Sequence, residues 1–158
     1  NLFQRVLSMI YKNFDGKIPT AEKFESSDKK ILNLINKDKI NLLTDLIENF
    51  KFDQYINEII LFGNELNNYI EEQKPWTLKE NKERLGTVLY VLAENVRKIA
   101  ILMQAICPNA SKNIIKQMNL DKLYSIDGDY IYFDNLEKNF KNNWKIEEPI
   151  GIFLRLKE

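Results

Sequence analysis

The chain has 158 residues, 44% of them hydrophobic, which is enough for one domain with a sizeable core and too little for two. Its 23 basic and 23 acidic residues give a formal net charge of +0, so it lacks the basic excess of a non-specific nucleic-acid binder, and any nucleic-acid contact has to be local. With no histidine and one cysteine, Cys107, the chain lacks the materials for a Ser-His-Asp or Cys-His pair, a His-bearing zinc site, a CxxC pair or an internal disulfide, which argues against an independent enzyme.

A helical pattern is already under way at Asn1, with no initiator Met before it, and the opening reads as a piece cut from a larger protein. Leu2, Val6, Met9 and Ile10 recur at helical spacing and predict a first helix from Asn1 to Phe14, stopped by Asp15-Gly16 and followed by a loop at Pro19. Ser26-Ser27-Asp28 are N-cap types ahead of Ile31, Leu34 and Ile35. The pattern stays helical to Asn49, with a break near Lys37-Asp38-Lys39, because Ile40, Leu43, Leu46 and Ile47 restart the stripe.

A third helix opens at Phe52-Asp53, and its stripe of Tyr55, Ile56, Ile59, Ile60, Phe62, Leu66, Tyr69 and Ile70 is broad enough for two neighbours. Gly63 inside it implies close approach of another helix, since an interior Gly is otherwise a cost. Pro75 forbids helical geometry for the residue before it, so Lys74 should end the helix and leave Trp76 at a rigid corner.

After a charged stretch from Lys79 to Arg84 comes the most apolar helix, Leu85 to Met103, expected at the centre and ended by Pro108. Ser111 to Met118 makes a short fifth helix. Beyond it, Asp127-Gly128-Asp129 between Tyr124-Ser125-Ile126 and Tyr130-Ile131-Tyr132-Phe133 suggests a small hairpin, Phe133 to Phe140 another helical turn or two, and Trp144 to Glu158 an extended tail. The expected architecture is all-α: an antiparallel bundle of about five helices over residues 1–120, with residues 121–158 as an extension that packs back on the bundle or on an absent domain. The longest apolar runs, such as Ile99 to Met103, are too short for a membrane span and the start has no signal-peptide pattern, so a soluble cytosolic protein is expected.

Several residues invite two readings. Asn1 and Arg5 project from one face of the first helix, one turn apart, and offer the amide and guanidinium groups that read base edges and phosphates, or else form a solvated face. Trp76 either packs its helix end or presents a ring on which a base stacks. Glu71 and Glu72 read as a capping and solvated pair, because adjacent helical residues do not face each other as an acid/base dyad would. Asn67, Asn68 and Tyr69 read as polar groups satisfied inside the bundle, and Cys107 as a buried, inert thiol. There is no Gly-rich phosphate loop and no metal-ligand spacing, so no catalytic or metal site is assigned.

Two motifs carry a resemblance. Asn1-Leu2-x-x-Arg5 with Ser8-Met9-Ile10-x-Lys12-Asn13, and Asn67-x-Tyr69-Ile70-x-Glu72-Gln73-x-Pro75-Trp76, look like the anticodon-binding domain of methionyl-tRNA synthetases, a class I aminoacyl-tRNA synthetase family. The resemblance covers nearly the whole chain. It implies a module that reads the CAU anticodon of initiator and elongator tRNAs for methionine, with Trp76 stacking on the first anticodon base, Pro75 shaping the turn, and Asn1 and Arg5 bonding to the bases. Glu71 is included in the site although the family often has Asp there. The adenylation motifs of the family are absent from this chain, so ATP, and zinc where the enzyme carries it, belong to the catalytic domain, which is an implied partner; no DNA or membrane partner is implied. The ending Ile152-Phe153-Leu154-Arg155 is similar to the family's Leu-Phe-Pro-Arg but lacks its Pro. Two other readings remain open: the anticodon domain of another class I synthetase, such as those for cysteine, isoleucine, valine or arginine, and a helical protein-interaction module using Trp76 and Phe153.

Overall fold

A computed structural model describes residues 1–124 and 130–151. Among these the chain forms α1 (Leu2–Phe14), α2 (Ser26–Leu32), α3 (Lys37–Glu48), α4 (Phe52–Gln73), α5 (Lys82–Leu102), α6 (Pro108–Gln117) and α7 (Leu120–Tyr124), with 3-10 turns at Pro75–Thr77, Met103–Ala105 and Phe133–Glu137. The all-α bundle holds, with two more helices than the periodicity predicts. The stretch from Ser26 to Asn49 is two helices parted at the expected break near Lys37, because Asn36 takes an extended backbone and its side chain accepts from the Lys39 N–H at 3.0 Å, starting α3 afresh.

α5 is the core. Sixteen of its residues, Leu85 to Leu102 with few gaps, are buried, and α1, α2, α4 and α6 all pack on it. Its direction relative to α4 follows from two bonds at opposite ends. Tyr55 at the start of α4 donates to the Leu102 carbonyl at the end of α5 (2.7 Å), and Arg84 at the start of α5 donates to Gln73 at the end of α4 (2.5 Å). The two long helices are therefore antiparallel, and the corner that joins them carries Trp76.

Several sequence expectations change. The N-cap of α2 is Glu25, and Asp28 closes the capping box by accepting from the Glu25 N–H. Pro108 opens α6 at its first turn, where a missing N–H costs nothing, so α6 begins three residues before the expected Ser111. An added Cβ on Gly63 meets nothing within 4 Å, so no helix approaches there; the close approach is at Gly86 in α5, whose Cβ position lies 3.4 Å from Pro19 and 3.6 Å from the Phe14 ring. Ile56 and Ile60 are 37% and 54% exposed, so the stripe of α4 is narrower than its composition suggests. Cys107 is half-buried, at the N-cap of α6, and unpaired among the described residues.

The turn of the expected hairpin and the Ile152-to-Arg155 ending lie outside the described residues. The segment between them packs on the bundle. Ile131, Leu136, Phe140 and Ile146 are buried with the core, and their backbone is held by side chains: Arg97 donates to the Leu136 carbonyl at 3.2 Å, Glu94 accepts from the Phe140 N–H at 2.8 Å, and Gln117 accepts from the Ile150 N–H at 3.0 Å. Arg97 is fully buried between Glu94, to which it is ion-paired at 2.7 Å, and the Tyr124 hydroxyl. No described helix is long and apolar enough to cross a membrane.

Candidate functional site

α4 stops because Lys74 adopts the left-handed conformation (φ 45°), which ends the helical ladder while its N–H still bonds the Ile70 carbonyl. Pro75 then pre-sets the next turn. The Thr77 N–H and hydroxyl both donate to the Lys74 carbonyl at 2.8 Å, so the corner is tied twice within four residues. Pro75 is buried. Trp76 emerges from this corner with 43% of its surface exposed.

Arg5 meets the corner from α1. Its guanidinium carbon lies 5.7 Å from the centroid of the Trp76 ring, a cation–π distance. Its Nη2 donates to Glu71 Oε1 at 2.7 Å, two residues before the end of α4. Glu71 is thus neither a cap nor merely solvated: it holds Arg5 over the ring. Three of the five candidate residues, Arg5, Glu71 and Trp76, form one connected cluster, with Pro75 beneath it. Asn1 is exposed at the N-cap of α1 with no side-chain cap bond, and its carbonyl accepts from the Arg5 N–H at 2.9 Å. It shares with Gln4, Arg5, Ser8 and Met9 a shallow cleft of about 460 Å³.

The cluster presents a flat apolar ring, a guanidinium with N–H donors beyond the one spent on Glu71, and a primary amide nearby. A planar, hydrogen-bonding ligand fits that inventory. No group of three or more His, Cys, Asp or Glu that could hold a metal occurs among the described residues.

Asn67 and Asn68 are exposed, contrary to the reading that buries them. Tyr69, Ile70 and Leu66 take the core face of α4, and at 100° per residue positions 67 and 68 turn away from it. Tyr69 itself is buried and donates to Asp28 Oδ1 at 2.5 Å. Sequence reasoning missed the network that this bond belongs to. Arg84 forks onto Asp28 (2.5 and 3.0 Å) and reaches Gln73 with Nη2, and Glu25 stands 3.3 Å from the same guanidinium. Burial alone would push the Asp28 carboxyl up; the hydrogen bonds from Arg84, Tyr69 and the Glu25 N–H outweigh it and hold the group below its ordinary value. Burial and the Asp28 bond push the Tyr69 phenol up. Asp28 carries no sequence signal of this role, because an N-cap residue and a buried counter-ion have the same identity.

Residues 28–152 match the family described as the anticodon-binding domain of tRNA ligase. The methionine–tRNA ligase of Fusobacterium nucleatum is 33% identical over 161 residues, spanning 99% of this chain and 24% of that protein. The methionine–tRNA ligase of Rickettsia bellii is 32% identical over 167 residues, spanning 100% of this chain and 31% of that one. Among solved structures, the apo form of methionyl-tRNA synthetase from Mycobacterium tuberculosis is similar with a TM-score of 0.89 at 25% identity, covering all of this chain and 32% of that one. The same enzyme bound by methionyl-adenylate gives a TM-score of 0.81 at 26% identity over 98% of this chain and 30% of that one. The chain therefore spans between 24% and 31% of the length of these curated relatives.

Proposed function

This chain belongs to the anticodon-binding domain family of tRNA ligases, and from that premise we propose that it recognises the CAU anticodon of initiator and elongator methionine tRNAs for a cytoplasmic methionine–tRNA ligase. Ligation of methionine with ATP, and zinc where the enzyme carries it, falls to a catalytic domain outside this chain. In this reading residues 1–120 are the recognition bundle and 121–158 an extension, of which the described stretch 130–151 packs back on the bundle.

The observation that supports this reading best is the half-open Trp76 ring with the Arg5 guanidinium fixed over it. An unstacked base in a loop needs a ring to lie on and donors at its edge. In this reading the first anticodon base stacks on the exposed part of Trp76, Pro75 fixes the height of the ring, and Arg5 and Asn1 donate to base edges. Glu71 selects the orientation of the guanidinium and so the edge it can reach. A net charge of +0 suits such a site, because selectivity then comes from shape and hydrogen bonds more than from phosphate attraction.

The decisive measurement titrates the chain with a labelled anticodon stem–loop bearing CAU and with one whose first base is changed. Tighter binding of the CAU loop is expected. Equal affinity for the two would overturn the proposal, and binding of a non-methionine anticodon loop instead would assign the chain to another synthetase.

A further inference from the structure

The corner that carries Trp76 is short, yet it links the two longest helices, and its base is closed by side chains rather than backbone. Gln73 is the last residue of α4 and Arg84 lies in the first turn of α5. Arg84 Nη2 donates to Gln73 Oε1 at 2.5 Å, a bond that spans the mouth of the loop from Lys74 to Asn81. Asn81 caps α5 by accepting from the Arg84 N–H at 3.0 Å, so the same residue is held through its backbone and its side chain. On its other side the guanidinium forks onto Asp28, which is fully buried in α2 and further held by Tyr69 and by the Glu25 N–H. Gln73 also donates to Ser27 at 3.4 Å.

We infer that Arg84, locked by Asp28 and bridged to Gln73, is a positioning residue that sets where Trp76 stands relative to Arg5 and Glu71. The inference rests on the anticodon-recognition reading for its consequence, while its mechanical part stands on the network alone. Glu71 is two residues before Gln73 on α4, and Trp76 three residues after it. Any rotation or fraying of the last turn of α4 therefore moves the carboxylate that holds Arg5 and the ring beneath that guanidinium together. A fork onto a buried carboxylate has one geometry, unlike a lysine's single point of contact, so it fixes direction as well as distance. The exposed Arg5–Glu71 pair lacks such constraint by itself, with side chains 43% and 61% exposed. The buried network below supplies it.

Two variants separate positioning from folding. Arg84→Lys keeps a cation beside Asp28 but replaces the two-pronged fork with a single ammonium, so the direction of the contact is no longer fixed. Gln73→Leu removes the bridge and leaves the Asp28–Arg84 pair intact. Each is made in the 158-residue chain in a Trp144→Phe background, so that Trp76 is the one remaining tryptophan. The readouts are Trp76 steady-state anisotropy without RNA, and the affinity ratio for the CAU loop against the loop with a changed first base, measured at least ten degrees or so below each variant's melting temperature.

Both variants should lower Trp76 anisotropy and reduce the affinity ratio by roughly 2- to 30-fold, the range seen when a residue outside a binding site modulates it. Unchanged anisotropy in both variants would overturn the inference. Lowered anisotropy with an unchanged ratio would overturn its link to recognition. If the parent chain already binds the two loops equally, the anticodon reading fails instead, and the anisotropy arm still decides whether Arg84 holds the corner.

Discussion

Replacing Trp76 by Ala separates the two roles open to a ring at a helix corner. Trp76 is 43% exposed, so it buries just over half of its surface. Full burial of a large apolar side chain stabilises by about 1.5–3 kcal/mol, which puts the packing share here at about 1–2 kcal/mol. Loss of the Arg5 contact over the ring adds about 0.5–1 kcal/mol at an exposed site. For a chain of this size each kcal/mol moves the melting temperature by about 2–4 °C, so calorimetry should find a fall of roughly 3–12 °C. Stacking of one base contributes about 1–3 kcal/mol, so the affinity for the CAU stem–loop should fall by roughly 5- to 150-fold. Trp76→Phe, which keeps a ring of smaller area, should recover part of both losses. A fall in melting temperature beyond about 15 °C with an affinity change below about twofold would refute the stacking role and leave Trp76 as a packing residue.

Glu71→Gln removes an exposed ion pair and should change the melting temperature by no more than about 2–4 °C, since such pairs contribute little, while lowering discrimination at the first anticodon base because Arg5 is no longer held; unchanged discrimination would count against the role given to Glu71. Gly63→Ala should stabilise the chain by about 1 kcal/mol, since the added methyl meets nothing within 4 Å, and thermal unfolding checks it. Arg97→Met strands the buried Glu94 carboxylate and unties the carbonyls of Asn135 and Leu136, so it should cost about 3–5 kcal/mol, read by denaturant titration. The Asp28 carboxyl is held below its ordinary value of 3.8 in the folded chain, so its contribution is complete above that value and is lost as pH falls through the folded value; the acid limb of the stability curve, below about pH 4, should be shallower in Asp28→Asn.

The helices were legible where apolar spacing was long and uninterrupted. α1, α4 and α5 follow their stripes, and Lys74 ends α4 because a Pro must follow an end. What periodicity misread was exposure within a stripe: Ile56 and Ile60 have the right residue type but face away from the neighbours that Ile59 and Phe62 find. Gly63 was misread for a related reason, since a helix interior Gly marks close approach only if a partner stands on that face, and spacing along one helix does not say where other helices are. In the site, the Pro75-Trp76 corner and the Asn1/Arg5 face were each readable alone, and it was the family resemblance, not spacing along the chain, that put them together. Arg5 and Glu71 are 66 positions apart, and the contact exists only once α1 and α4 pack beside each other. Least legible was Arg84, one cation in a charged stretch until the fold buries Asp28 opposite it.

The absence of net charge fits this arrangement. A basic site would draw any RNA by its phosphates and gain affinity without discrimination. Here the cation nearest the ring is balanced by Glu71 at 2.7 Å, which cancels most of its long-range pull and leaves its short-range donors. Those donors act only on an acceptor that arrives at the right place and angle. The place is set by the ring, the ring by the Pro75 corner, and the corner by a guanidinium fork onto the buried Asp28 carboxylate, with the Arg84 side chain 14% exposed, which solvent screens less than the exposed pair. Under the proposed function, rigidity and neutrality thus serve one end: binding energy becomes available to a base lying on Trp76 and is withheld from a phosphate passing nearby.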